Sequence, residues 1–165
     1  MSSANKNLSQ NELFSVIPPT PGKKYAIVVS EWNHEITSAL RDGAYSTLIS
    51  YVPENDIEVF YVPGSFELTF GAQQVLESNK FDAVICLGCV IQGETRHFDF
   101  ICQAVSQGIT QLTIQYKKPV IFGVLTTDNI AQAKDRAGGK HGNKGVEAVA
   151  TALKAVDLMT KISNG

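Results

Sequence analysis

Four short, nearly all-apolar runs, each followed by a segment whose apolar residues recur at helical spacing, constrain this chain more than any other feature. The runs are Tyr25-Ala26-Ile27-Val28-Val29, Ile57 to Val62, Ala83 to Ile91 and Val120 to Leu125. Continuous apolarity over so few residues fits strands buried on both faces, the third being the longest and, by expectation, the most buried. After the first run Asn33 is placed to cap a helix carrying Ile36, Leu40, Ala44, Leu48 and Tyr51. Pro63-Gly64 stops the second, and Ser65 is placed to cap a helix with Leu68, Ala72, Val75 and Leu76. Gln92-Gly93-Glu94-Thr95 leads into a helix with Ile101, Val105 and Leu112. Thr127 or Asp128 starts a short helix that ends near Arg136-Ala137 at the Gly138-Gly139 break, and a last helix spans about residues 143 to 162 with Val146, Val149, Ala150, Leu153 and Val156 on its apolar face. Buried strands separated by helices require right-handed crossovers, so the expected fold is a three-layer αβα domain, a four-stranded parallel sheet flanked by helices on both faces.

The chain has 165 residues, 44% of them hydrophobic, enough for one domain with a real core. Its 14 Lys plus Arg against 16 Asp plus Glu leave a net charge of −2, which offers no basic field for nucleic acid or an anionic membrane. No apolar run approaches a membrane span, and Met1-Ser2-Ser3-Ala4-Asn5-Lys6 lacks the apolar segment of a secretory signal. Three cysteines, an odd number, suit a reducing compartment, so the expected location is cytoplasmic. Residues 1–22 read as an arm: polar, with Leu13-Phe14 and Val16-Ile17 ahead of Pro18-Pro19-Thr20-Pro21-Gly22. Such a segment either dangles or lies along a sheet edge, that of a neighbouring subunit included. The domain proper is then 23–165.

Parallel sheets bind ligands at the carboxyl ends of their strands. That rule selects Ser30-Glu31-Trp32-Asn33, Pro63-Gly64-Ser65-Phe66-Glu67, Cys89 to His97, and the segment after Leu125. Trp32 and Phe66 are each commoner as packing residues, yet together at strand ends they could sandwich a planar heterocycle whose polar edge Glu67 and backbone groups read. The backbone around Gly93-Glu94 and the Thr95 hydroxyl stand at the positive end of a helix, where a phosphate could bind, although a glycine there is more often only a turn. His97 follows in the first helical turn, and an imidazole suits proton transfer near neutral pH. His34 and His141 read as surface residues, and no two histidines have metal-ligand spacing. Cys86-Leu87-Gly88-Cys89 is formally a redox or zinc pair, but a three-residue offset inside a strand sends the side chains to opposite faces, which favours a buried structural role. Cys102 reads as another small core residue. Arg136 and Lys144, in a glycine-rich connection, could meet a phosphate or be solvated charges.

Taken together and in this order, Trp32-Asn33, Val62-Pro63-Gly64-Ser65-Phe66-Glu67-Leu68, Gly93-Glu94-Thr95-Arg96-His97-Phe98, Phe122-Gly123-Val124-Leu125-Thr126 and Arg136-Ala137-Gly138 through Gly142-Asn143-Lys144-Gly145 resemble the lumazine synthases of riboflavin biosynthesis. The likeness covers nearly everything from Tyr25 to Val156. It implies condensation of 5-amino-6-(D-ribitylamino)uracil with 3,4-dihydroxy-2-butanone 4-phosphate to 6,7-dimethyl-8-ribityllumazine, with no cofactor and no metal. It also implies roles: Trp32 stacks on the pyrimidine; Ser65, Phe66 and Glu67 bind the pyrimidine and ribityl parts; Cys89, Val90 and Ile91 add contacts. Glu94 and Thr95 hold phosphate through the backbone, joined by Arg136, and His97 moves protons. Phe122 covers the ring from an adjacent subunit. Trp32 stands where phenylalanine is frequent in the family and Glu94 where a smaller residue often occurs. The resemblance further implies a homopentamer. The short Ala137-Gly138-Gly139-Lys140-His141 connection favours an icosahedral shell of pentamers, with a riboflavin synthase as a partner. Three rival readings use the same residues: a flavin-holding protein without turnover, a purely structural shell, and a flavodoxin-like nucleotide sensor.

Overall fold

The computed structural model describes residues 17–165. Strands β1 (Tyr25–Ser30), β2 (Ile57–Val62), β3 (Ala83–Ile91) and β4 (Val120–Thr127) form one parallel sheet in the order β2-β1-β3-β4. The connecting helices are α1 (His34–Leu48), α2 (Leu68–Glu77) and α3 (His97–Tyr116), followed after β4 by α4 (Ile130–Arg136) and α5 (Lys144–Ser163). Alternate β1 side chains serve two separate cores. Tyr25, Ile27 and Val29 join Leu40 of α1 and Leu153 of α5, whereas Ala26 and Val28 join Leu68 of α2 and Val105 of α3. The predicted three layers and parallel sheet are therefore present, with α1, α4 and α5 on one face and α2 and α3 on the other.

Several local expectations differ. All six β1 residues are buried, while β3 ends in half-buried Val90 and Ile91, because β3 runs four residues past its pairing with β1, from Gly88 to Ile91, toward a cavity. Tyr51 lies beyond the end of α1 and is exposed. Neither Asn33 nor Ser65 caps a helix with its side chain: the Asn33 amide is directed to β3, and the Ser65 hydroxyl faces that of Ser30 at 3.5 Å. Asn129, not Thr127 or Asp128, caps α4 by accepting from the Gln132 N–H at 3.0 Å. The Gly138-Gly139 break is itself structured, since β5 (Ala137–Gly139) pairs antiparallel with β6 (Gly142–Asn143). Gly138 and Gly142 have positive φ, which lets this tight hairpin close. Asn143 then caps α5, accepting from the Gly145 N–H at 2.8 Å and donating to the Ala39 carbonyl of α1 at 2.9 Å. The apolar patch at Leu13-Phe14 and the expected edge strand of the arm lie outside the described residues; Ile17 packs against the core on the α1 side.

The cysteine pair behaves as its spacing requires. Cys86 belongs to the α2–α3 core and Cys89 to the α1–α5 core, on opposite faces of β3, and all three cysteines are free. Cys102 is only half-buried, less than expected of a core residue. Burial pushes the Cys86 thiol up to about 12 and that of Cys89 to about 11. It also lifts the Tyr25 phenol to about 12, against the opposing hydrogen bond from Thr20. These groups lose their protons in the unfolded chain near their ordinary 9.0 and 10.0 but keep them when folded. Their contribution to stability is thus fully present below about pH 9 and is lost progressively as pH rises through 11 to 12. Urea unfolding at pH 8 and pH 10.5 should show the lower midpoint at the higher pH. A midpoint that stays level would contradict the burial of these protons.

Candidate functional site

The carboxyl ends of β1, β2 and β3 converge on one cavity. Chain direction imposes this: Glu31 N–H donates to the Val62 carbonyl at 2.8 Å and Trp32 N–H to the Pro63 carbonyl at 3.0 Å, so the β1 and β2 exits travel side by side. Gly88 lets the turn after β2 lie close to β3. A Cβ at that position would meet the Ser65 hydroxyl at 2.7 Å and Leu68 Cδ1 at 2.9 Å.

The cavity beyond these ends has a volume of about 610 Å³ and is lined by Trp32, Ser65, Phe66, Glu67, Cys89, Val90, Ile91 and His97 of the predicted set. Asn33, Gly64 and Ile101 complete the wall. Its character is mixed. Trp32 is 73% exposed and Phe66 55% exposed, so two large aromatic faces stand open at its mouth, while Cys89 is buried and neutral behind them. A thiol held near 11 supplies apolar surface and no thiolate at neutral pH. Ser65 is buried, and Glu67 is half-buried beside it. Exposed aromatics above a floor with few polar groups fit a flat heterocycle better than they fit a compact ion.

His97 opens α3 at the cavity rim and is exposed in the single chain. Its backbone N–H donates to the Thr95 hydroxyl at 3.4 Å. Thr95 and Glu94 are exposed in the connection before α3 and do not line the cavity. Arg96 pairs with Asp99 at 3.6 Å and lies 5.8 Å from the Phe100 ring.

Phe122 and Arg136 are not brought to this cavity. They line a second one, of about 580 Å³, along the outer edge of the sheet formed by β4. Phe122 is exposed there, and Arg136 Nη1 donates to the Gln132 carbonyl at 3.0 Å, which anchors the side chain and leaves the rest of its fork for another acceptor. Lys144 and Glu147 share this cavity and pair at 2.7 Å, with Glu147 itself buried. His141 also lines it, half-buried, rather than standing on the open surface, because the hairpin turns it inward. His34 is exposed as expected, with the Ser38 hydroxyl at 3.2 Å. Glu147 carried no sequence signal beyond its place three residues after Lys144 at the start of a helix. Among the described residues no group of three or more His, Cys, Asp or Glu is arranged to hold a metal ion, and no helix is long and apolar enough to cross a membrane.

Residues 22–160 match a family described as 6,7-dimethyl-8-ribityllumazine synthase. The chain is 59% identical over 155 residues to a protein of that name from Cytophaga hutchinsonii, covering 93% of this chain and 96% of the relative. It is 52% identical over 160 residues to one from Parabacteroides distasonis, covering 96% and 99%. A third, from Flavobacterium johnsoniae, is 52% identical over 164 residues, covering 99% of this chain and 86% of the relative.

Proposed function

Since the chain belongs to the 6,7-dimethyl-8-ribityllumazine synthase family, we propose that the cavity between Trp32 and His97 is where it carries out that family's reaction. The protein is an enzyme, a transferase of riboflavin biosynthesis that joins 5-amino-6-(D-ribitylamino)uracil to 3,4-dihydroxy-2-butanone 4-phosphate. The observation that carries the assignment of the site is the meeting of two open aromatic faces, a carboxylate and an imidazole at the ends of three parallel strands.

Trp32 and Phe66 hold the pyrimidine, and Ser65, Glu67 and the end of β3 at Cys89, Val90 and Ile91 contact its polar edge and ribityl chain. The pyrimidine's amine attacks the ketone and water leaves as the Schiff base forms. Phosphate is eliminated, the resulting enol tautomerises, and the ribitylamino nitrogen closes the second ring with loss of a second water. His97 accepts and returns protons at these steps. Holding two substrates in register supplies much of the remaining rate. The phosphate lies against the backbone of Glu94 and Thr95 at the start of α3, with the Arg136 fork as its charged partner.

Within one chain Arg136 and Phe122 face a different cavity from His97, which supports a site shared by two copies. On this reading the copy beside each His97 cavity presents its β4 edge, closing a homopentameric ring. The short 137–141 connection is compatible with pentamers packing further into an icosahedral shell able to carry a riboflavin synthase. Residues 1–22 are an arm ahead of the domain at 23–165, and the enzyme works in the cytoplasm.

Purified protein given both substrates should form lumazine, followed by its absorbance, in step with release of inorganic phosphate. No turnover by folded, assembled protein would leave a flavin-holding or shell protein as the better account.

A further inference from the structure

Asn33 stands out in the wall of the Trp32 cavity because its backbone is left-handed, φ 62° and ψ 43°. Residues with a Cβ seldom adopt this conformation, and it costs free energy unless the surroundings fix it. Asparagine tolerates it better than most, and usually at a turn or cap where its side chain bonds to nearby backbone. Here the side chain does neither. It makes no cap bond to α1, although it directly precedes that helix. Its amide crosses instead to the end of β3 and donates to the Cys89 carbonyl at 2.9 Å. The Asn33 carbonyl meanwhile accepts the Ile36 and Thr37 N–H groups at 2.9 and 3.1 Å, so the backbone starts the helix while the side chain holds the strand.

The result is a bridge across the cavity floor. Trp32 is the residue immediately before it, with its own N–H fixed to Pro63. Cys89 is buried near the carboxyl end of β3 and held there by pairing with Leu125 of β4. A left-handed residue whose amide is tied to a rigid strand sets the direction in which the preceding Cα–Cβ bond leaves the chain.

We propose that Asn33 is a positioning residue for the reaction: its amide, by bonding to the Cys89 carbonyl, holds the Trp32 indole in the stacking orientation. This deepens the reading of Trp32 as the pyrimidine stacker and rests on it.

The chain has a single tryptophan, so fluorescence excited selectively at the indole, beyond the absorption of the five tyrosines, reports on Trp32 alone. Two variants separate a latch from a merely tolerated backbone. Asn33→Asp retains size and tolerance of the left-handed region but cannot donate to a carbonyl. Asn33→Gly adopts the left-handed region without strain. If only the backbone shape mattered, glycine would match or improve on the wild type. If the amide is the latch, both variants lose. The probe is 6,7-dimethyl-8-ribityllumazine, titrated against assembled full-length protein by quenching of Trp32 fluorescence, with steady-state anisotropy in its absence.

For both variants the lumazine dissociation constant should rise about tenfold, as loss of one partly buried hydrogen bond allows. Indole anisotropy should fall, and KM for the pyrimidine should rise while KM for the butanone phosphate stays level. Wild-type affinity and anisotropy in Asn33→Gly would overturn the proposal, whatever Asn33→Asp does, because glycine keeps the fold and lacks only the amide. Wild-type protein that turns over both substrates without any quenching of Trp32 by lumazine would overturn the stacking role of Trp32 itself, and that failure is visible before any variant is made.

Discussion

Replacing His97 with alanine is expected to lower kcat by about 10² to 10⁴ while leaving the protein folded and assembled. The size follows from what general acid–base catalysis by one positioned group is worth. Retention of the fold follows from the surroundings: the imidazole is exposed at the cavity rim, and the bond that ties residue 97 to Thr95 uses the backbone N–H, which alanine keeps. Alanine also serves well enough at the first position of a helix. KM for either substrate should change little, since the imidazole acts on protons of the reacting centre and not on the ribityl chain or the phosphate. Glutamine is the sharper comparison, because it keeps a polar reach of similar length yet cannot cycle a proton. A rate for His97→Ala within a factor of about three of wild type would remove this residue from the mechanism.

Most of the fold that places His97 there is legible in the residues alone. Ala83 to Ile91 is a strand over the expected span, because a run that is apolar on both sides has few ways to be buried other than inside a covered parallel sheet. Ile57 to Val62 is also a strand over its expected span, but at the sheet edge, where Glu58 and Tyr61 are exposed and burial on both faces is not reached. The strand-end rule then points to Trp32, Phe66, Glu67 and His97 before any coordinate is known, and these do share a cavity. Helix starts are less legible. Asn33 and Ser65 are the residue types that cap helices, and both sit beside one, yet the strand next door offers each a partner on β3 or β1 that the sequence cannot rank against the cap. The hairpin at 137–143 looks in sequence like a plain connection. Its signal, glycine on either side of a two-residue tip, is shared with ordinary loops, and it is fixed from outside by the bond from Asn143 to α1. The residue types of Phe122 and Arg136 suggest a ring and an anion, but within this chain they line a cavity apart from that of His97, which nothing in the sequence foretells.

That separation makes the last expectation a strong one. Arg136→Ala should raise KM for the butanone phosphate about 10- to 100-fold, the usual worth of charge-assisted bonds to an anion, with little effect on pyrimidine binding. The more decisive result comes from mixing. If each site takes His97 from one copy and Arg136 from the next, a His97→Ala subunit and an Arg136→Ala subunit repair one another where they meet in one order. In a head-to-tail ring assembled by co-expression in equal amounts, about a quarter of the interfaces should carry both intact residues, and activity measured at butanone phosphate near the wild-type KM should rise to about a quarter of wild type, above the average of the two weakened parents. The phosphate KM of the restored fraction should be that of wild type, since those sites lack nothing. If the mixed assembly is no more active than the average of its parents, Arg136 and His97 serve the same chain's site or Arg136 serves none. The two cavities of one copy would then have to meet by movement of the β4 edge, against the continuous pairing that holds β4 to β3 from Val84 with Val120 to Ile91 with Thr127.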